Sequence, residues 1–389
     1  MNRSLSPVDR LFATLPALAE EAAARAGEFE TLRRLAPDFV ARLKEAGALK
    51  LLVPAEAGGI GLTLPQWLEA VMALAEADAS TGWVTAHGNI CAGLIYACAE
   101  PQFRDEFFAD PQACAAWSNL PRITAETEAG GIRITGSWGF ESGCTAATFV
   151  GGMVQLPPAE PGGRPRMVAA LAPVAEARIA ETWDPVGLAG TGSHDVHFDQ
   201  VLVPWHRTFA WPSGRPQPGL PYPQAIFSPG TWFISIGAGA THLGLARRAL
   251  DEARRELAGK KDRYTQQPLL ENPATQRSLE AAEGLWFACR AGLREALAEI
   301  WDSALRGVPA TAEQRLAARL AAVTATQQGA AIVRTAYDAA GAGAIRRGGV
   351  LQRLLREAAC LTHHVTASPA SYELTGRVRC GIDPISFRI

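Results

Sequence analysis

The sequence predicts an α+β fold that is mainly α, in the order helices, strands, helices. Three observations carry this. Ala, Leu and Glu dominate residues 8–110, with apolar residues at three- and four-residue spacing, the pattern of amphipathic helices. From about Ala115 to Phe209, short alternating runs such as Ile132-Arg133-Ile134-Thr135-Gly136 and Val196-His197-Phe198-Asp199 take over, as half-buried strands require. From about Ser228 the helical pattern returns, and segments 231–258, 273–307, 311–342 and 349–367 make a four-helix set. The domains expected are 1–114, 115–212 and 213–389, which a chain of 389 residues is long enough to fill.

In the first region, Phe39, Leu43 and Ala46 share one helix face. Val53-Pro54-Ala55-Glu56-Ala57-Gly58-Gly59 reads as a loop. Helix resumes near Leu64, with Pro65 at an early position where a missing N–H costs little. The apolar, Cys- and Ala-rich run from Gly82-Trp83 onward predicts a central helix. In the middle region, Pro157 to Gly163 is a surface turn between strands, and the Pro-rich stretch Trp211 to Pro223 is a linker.

Net charge is −2, and no basic stripe stands out, so neither nucleic acid nor an anionic membrane is expected as a partner. Seven dispersed cysteines without a CxxC pair suggest reduced thiols in a cytoplasm. The histidines lack HExxH spacing and no Cys/His cluster occurs, so no metal is expected. Leu11 to Ala19 is apolar but runs straight into Glu20 and Glu21, which does not suit a signal peptide. The weakly polar run Gly230 to Ala246 carries Ser, Thr, His and several Gly, and reads as a buried helix instead of a membrane span.

Five pieces occur in a telling order. They are Leu43-Lys44-Glu45-Ala46-Gly47 leading to Val53-Pro54 and Gly58-Gly59; Ala77-Asp78-Ala79-Ser80-Thr81-Gly82-Trp83; Gly136-Ser137-Trp138-Gly139-Phe140-Glu141-Ser142-Gly143; Trp183-Asp184-Pro185-Val186-Gly187-Leu188-Ala189-Gly190-Thr191-Gly192-Ser193; and Ala339-Ala340-Gly341-Ala342-Gly343-Ala344 running into Leu351-Gln352-Arg353 and Arg356. Together they resemble the acyl-CoA dehydrogenase superfamily, and within it the two-component flavin-dependent monooxygenases. The resemblance covers nearly the whole chain. It implies an acyl-CoA dehydrogenase-like fold with an N-terminal helical domain, a central β barrel and a C-terminal four-helix bundle, usually as a homotetramer. Gly237-Ala238-Gly239 and Gly341-Ala342-Gly343 each look like the start of a dinucleotide fingerprint, but both lie in helical context without the third glycine.

Dehydrogenation of an acyl thioester needs a carboxylate base, its pKa raised by desolvation. The common dehydrogenase pattern puts a Glu nine residues after an arginine; nine from Arg356 is Val365, and Tyr372-Glu373 lies two turns too far on. The monooxygenase branch carries His at the eighth position, and His364 matches. By this resemblance a reduced flavin, FAD or FMN, reacts with O2 through a C4a-(hydro)peroxyflavin, and an imidazole donates to it or takes a proton from the substrate. The pair His363-His364 also suits a helix C-terminus, where imidazolium is favourable.

The resemblance implies further roles. Ser142 matches the serine beside the flavin N5, although Ser-Gly is also ordinary turn chemistry. Period 2 along a strand sets Trp138, Phe140 and Ser142 on one face, as a flavin wall or as core. His87, one helical turn from Trp83, is a candidate to reach substrate or a satisfied core histidine. Trp117, with Ser118 and Asn119, matches the flavin edge, although Pro121-Arg122-Ile123 replaces the Pro-x-Gly turn of relatives. Gly190, Thr191 and Ser193 match a flavin-contacting loop. Gly341 and Gly343 match a phosphate approach, or serve close helix packing, and Arg356 completes that piece. Arg263 matches an arginine that contacts the phosphate across subunits, where a solvated helix end is the alternative. Trp83, Trp117, Trp138, Phe140, Trp232 and Phe233 form a candidate aromatic pocket for a small planar aromatic or heteroaromatic substrate. With no nicotinamide site in the chain, a separate NAD(P)H-dependent flavin reductase is the expected partner. An acyl-CoA dehydrogenase with a displaced base and a non-catalytic flavin-fold ligand-binding protein are the competing readings.

Overall fold

The computed structural model describes residues 5–158, 160, 162–163, 165–211 and 232–382. Beyond Trp211, the Pro-rich linker read from the sequence lies outside the described residues.

The N-terminal helices are α1 (Pro7–Leu32), α2 (Pro37–Glu45), α3 (Leu64–Ala77), α4 (Ala79–Cys98) and α5 (Pro101–Phe108). α1 buries Leu11, Leu15, Leu18, Ala22, Ala26 and Phe29, a three-and-four spacing that makes one apolar stripe. α3 starts with a full capping box between Thr63 and Gln66, with Pro65 in its first turn. Every residue of α4 is buried, so this helix is the axis on which the N-terminal region, the sheets and the C-terminal bundle meet. Each large apolar side chain fully buried here stabilises the fold by roughly 1.5–3 kcal/mol.

Among the described residues eight strands enclose a second core: β1 (Ala115–Ser118), β2 (Pro121–Glu128), β3 (Gly131–Trp138), β4 (Phe149–Leu156), β5 (Arg166–Pro173), β6 (Arg178–Ala180), β7 (Asp195–Pro204) and β8 (Thr208–Ala210). They form two four-stranded sheets of order β1-β4-β5-β8 and β2-β3-β7-β6. The β1–β4 pair is parallel and all others are antiparallel. Ile132, Ile134 and Trp138 of one sheet pack with Val150, Val154 and Ala170 of the other.

The C-terminal helices are α6 (Trp232–Leu257), α7 (Pro273–Leu305), α8 (Ala312–Ala340) and α9 (Val350–Leu361), followed by the short α10 (Ala370–Arg379). Gly239 lets α6 sit close on α8: a Cβ there would lie 2.9 Å from the Ala322 carbonyl oxygen. The fourth helical segment stops at Leu361, earlier than the sequence reading of 349–367, because the chain tightens into turns. The His363 N–H donates to the Cys360 carbonyl and the His364 N–H to that of Leu361, at 3.2 and 3.1 Å. α10 was not foreseen as a separate helix. Among the described residues no helix is long and apolar enough to cross a membrane.

Candidate active site

A cavity of about 290 Å³ opens where α4, the end of β1, the turn at 140–142, the loop 183–193 and the end of α9 converge. α4 supplies Trp83 and His87. Its first turn is fixed by Asp78, whose carboxylate accepts from the Thr81 N–H at 2.7 Å and the Thr81 hydroxyl at 2.8 Å. One turn apart, the Trp83 and His87 rings stack at 6.2 Å and 25°. His87 Nε2 lies 3.1 Å from the Trp117 carbonyl oxygen. A carbonyl only accepts, so Nε2 carries the proton and Nδ1 is left as an acceptor. That Nδ1 is buried without a partner, and burial pushes the imidazole pKa down to about 4.

The turns after α9 supply His364. Its Nδ1 is 2.9 Å from the Thr366 hydroxyl and accepts from the Thr366 N–H at 3.3 Å, so the neutral ring carries its proton on Nε2. The ring meets the Trp83 edge at 5.2 Å and 65°. Desolvation, with repulsion from His87, pushes this imidazole also down to about 4. Both rings are therefore neutral near pH 7, one offering an acceptor and the other a donor.

From Trp83 runs a row of hydroxyls. The Trp83 indole N–H donates to Ser142 Oγ at 2.9 Å. Ser142 Oγ is 2.8 Å from Ser193 Oγ, which is 2.7 Å from Thr191 Oγ1. The Thr191 hydroxyl donates to the Leu188 carbonyl at 2.8 Å. The loop that holds this row is pressed against helices on two sides. A Cβ at Gly187 would lie 2.5 Å from the Arg356 carbonyl carbon, and one at Gly190 would lie 2.9 Å from the Ser80 Cβ. Glycine at both positions is a packing requirement.

Two regions match known families: residues 13–111 match the acyl-CoA dehydrogenase N-terminal domain and residues 236–369 its C-terminal domain. The indole-3-acetate monooxygenase of Acinetobacter baumannii is 31% identical over 375 residues, covering 95% of this chain and 94% of that protein.

The chain belongs to the acyl-CoA dehydrogenase family.

It sorts with the family's flavin-dependent monooxygenases. The oxygenase component of an FADH2-dependent resorcinol hydroxylase from a Rhizobium species is 29% identical, over 97% of this chain and 96% of that one. The crystal structure of a 3-HSA hydroxylase from Rhodococcus sp. RHA1 superposes with a TM-score of 0.86 at 26% identity, covering 99% of this chain and 100% of that one. Dehydrogenases of the family need a carboxylate base. No Asp or Glu is among the described residues lining this cavity, and Glu373 lies on an exposed face of α10.

Of the residues singled out in the sequence, Trp83, His87, Trp117, Phe140, Ser142, Thr191, Ser193 and His364 line the cavity, as does the exposed His363. Gly190 backs the loop without lining it. The strand reading that put Trp138, Phe140 and Ser142 on one face does not hold. β3 ends at Trp138, and Phe140 takes φ 58°, which turns the chain. Trp138 is fully buried between the sheets and donates to the Met153 carbonyl at 3.1 Å. Phe140 is 57% exposed and meets the Trp183 ring edge-on at 5.6 Å.

Trp232 and Phe233 also miss the cavity. They pack on each other at 5.3 Å, and Phe233 stacks on Trp67 at 6.1 Å; Ile234 is the α6 residue on the wall. Arg356 is held by the Glu30 carboxylate at 2.6 Å and the Val186 carbonyl at 2.5 Å, which fastens the loop 183–193 to α1 and α9. Gly341 and Gly343 lie between α8 and α9, with Gly343 against Glu256 and Lys260 at the end of α6. Arg263 is exposed in the loop just beyond.

Trp183 is a wall residue that the sequence reading passed over, as are Leu120, Leu188 and Ile234. The Trp183 indole N–H donates to the Leu188 carbonyl at 3.0 Å, and its place at the head of the Trp-Asp-Pro run was the available signal. Glu141, beside Ser142, is fully buried, and desolvation raises its pKa well above the usual carboxyl range. It accepts from the Gly151 N–H at 3.0 Å and so pins the Ser142 turn to β4.

Proposed function

We propose that the chain is the oxygenase component of a two-component flavin-dependent monooxygenase acting on a small aromatic or heteroaromatic compound. The observation that carries this reading is the single cavity in which Trp83 touches both neutral imidazoles and the Ser142 hydroxyl. The absence of a carboxylate from the described wall weighs against acyl thioester dehydrogenation. The catalytic roles belong to His364, His87 and Ser142. Trp117, Thr191 and Ser193 make the flavin wall with Gly190 backing it, and the region of Arg263, Gly341 and Gly343 is proposed for its phosphate.

The residues present fit a flavin ring. The wall is uncharged and aromatic at Trp117, Phe140 and Trp183, and offers polar atoms only at a few fixed points. When bound, reduced FAD or FMN supplies two electrons to O2, so that one oxygen atom enters the substrate and the other leaves as water. His364 holds a proton at Nε2 for the reacting oxygen, and at neutral pH it is not itself charged. His87 accepts at Nδ1 from an O–H or N–H of the substrate, fixing its orientation. The tryptophan walls exclude water, which strengthens each of these contacts.

The reductant comes from a separate NAD(P)H-dependent flavin reductase, and the working assembly is a homotetramer. A cytoplasmic location suits the seven unpaired cysteines. The test is to mix protein and anaerobically reduced flavin with O2, in the presence of phenols, indoles, thiophenes and amines. Oxygenated product that requires both flavin and O2 supports the reading. Flavin held through purification and bleached anaerobically by an acyl-CoA would replace it with the dehydrogenase.

A further inference from the structure

The hydroxyl row has a fixed direction. It begins at an indole N–H, which can only donate, and ends at the Leu188 carbonyl, which can only accept. Between them lie the links Trp83–Ser142, Ser142–Ser193, Ser193–Thr191 and Thr191–Leu188, all between 2.7 and 2.9 Å. One proton is available for each link, from Trp83, Ser142, Ser193 and Thr191 in turn. Only one arrangement satisfies them all. Thr191 gives its proton to Leu188, so Ser193 must give its own to Thr191, and Ser142 its own to Ser193. The reverse order would set two bare oxygens 2.8 Å apart at the Leu188 end. All three hydroxyls are buried, at 8%, 2% and 4% exposure for Ser142, Thr191 and Ser193, and each finds its partners within the row.

The wall therefore turns lone pairs, and no hydroxyl proton, toward the cavity. Ser142 can accept one more hydrogen bond there and can donate none. We propose that Thr191 is a positioning residue that fixes the direction of the Ser142 proton, and that this makes the wall selective for a ligand atom bearing hydrogen. For a flavin set against Ser142 by its N5 edge, the reduced ring carries N5–H and is accepted. The oxidised ring presents a lone pair at N5 and meets another lone pair. The inference rests on the flavin reading above and goes beyond it by assigning the choice of redox state to Thr191 and Ser193, acting through the Ser142 hydroxyl.

The test compares dissociation constants for oxidised and for anaerobically reduced FMN and FAD in the wild-type protein and in Thr191→Val, Thr191→Ser and Ser193→Ala. Wild type is expected to favour the reduced form. Thr191→Val frees the Ser193 proton and Ser193→Ala frees that of Ser142, so in each a proton can turn to the cavity. The oxidised form should then bind tighter, and the preference should narrow by about tenfold. Thr191→Ser, which keeps the hydroxyl, should keep the wild-type ratio. If Thr191→Val does not fold, Ser193→Ala carries the same expectation. Equal weakening of both redox forms in Thr191→Val and Ser193→Ala would mean a merely structural role and would overturn the proposal, as would a wild type indifferent to redox state. A wild type that binds neither form overturns the flavin reading, and this inference with it.

Discussion

On the wall made by Trp83, Ser142, Ser193 and Thr191 every proton has an acceptor, whereas on the same cavity His87 and His364 each leave one ring nitrogen without a partner among the described residues. The first wall is a closed network whose geometry is set by the fold. The second holds its reactive nitrogens open, at the cost of a buried unpaired acceptor on His87. His87 also lines the cavity, so its unsatisfied acceptor is placed where a ligand can complete it. Under the proposed function, the closed wall positions and the open wall reacts.

Breaking the open wall should have the larger effects. His364→Ala should lower coupled product formation by about 10²–10⁴-fold, read as product formed per reduced flavin oxidised, while flavin binding changes little. Full coupling in this variant would move the chemistry elsewhere.

The pH dependence of stability comes next. Both imidazoles have pKa values of about 4 in the folded chain against an ordinary 6.5. Between these values the unfolded chain binds protons that the folded chain refuses. Stability therefore falls as pH drops from 6.5 toward 4, and these groups cost nothing above that window. For His87 the loss at the bottom of the window is on the order of 3 kcal/mol. His87→Gln should flatten the slope in denaturant titrations across pH 4 to 7; an unchanged slope would show that His87 is not held neutral.

His87→Leu should raise KM about tenfold for substrates with an O–H or N–H, and leave thiophenes unaffected. A uniform rise across both sets would mean that His87 only fills space. The smallest effect is expected at the closed wall: Trp83→Phe keeps the ring but removes the first donor of the row, and should loosen flavin binding only a few-fold.

How much of this was legible in the sequence follows the range of each signal. Helical periodicity is local and repeated, so α1, α3 and the long bundle helices could be read directly, and the largely apolar run after Gly82 read as a central helix, although not as one buried on all sides. The ordered family pieces brought Trp83, Ser142, Thr191, Ser193 and His364 together although they lie far apart in the chain. The alternation from Trp138 to Ser142 failed because one residue, Phe140, leaves the extended conformation, and nothing in its neighbours' identities announces that. Trp232 and Phe233 were misjudged because core and pocket both select aromatics; only tertiary packing against Trp67 separates them. The direction of the hydroxyl row was not accessible from sequence at all, since it depends on a carbonyl at Leu188 that every residue type would supply.

The central claim is oxygen transfer to an aromatic substrate by externally supplied reduced flavin. Its most direct test is a reaction in ¹⁸O2 with anaerobically reduced flavin and the best substrate of the panel, followed by mass spectrometry of the product. One ¹⁸O atom per product molecule, formed only when reduced flavin is present, is the expected result. Product without the label, or an acyl thioester desaturated in the absence of oxygen, would contradict it.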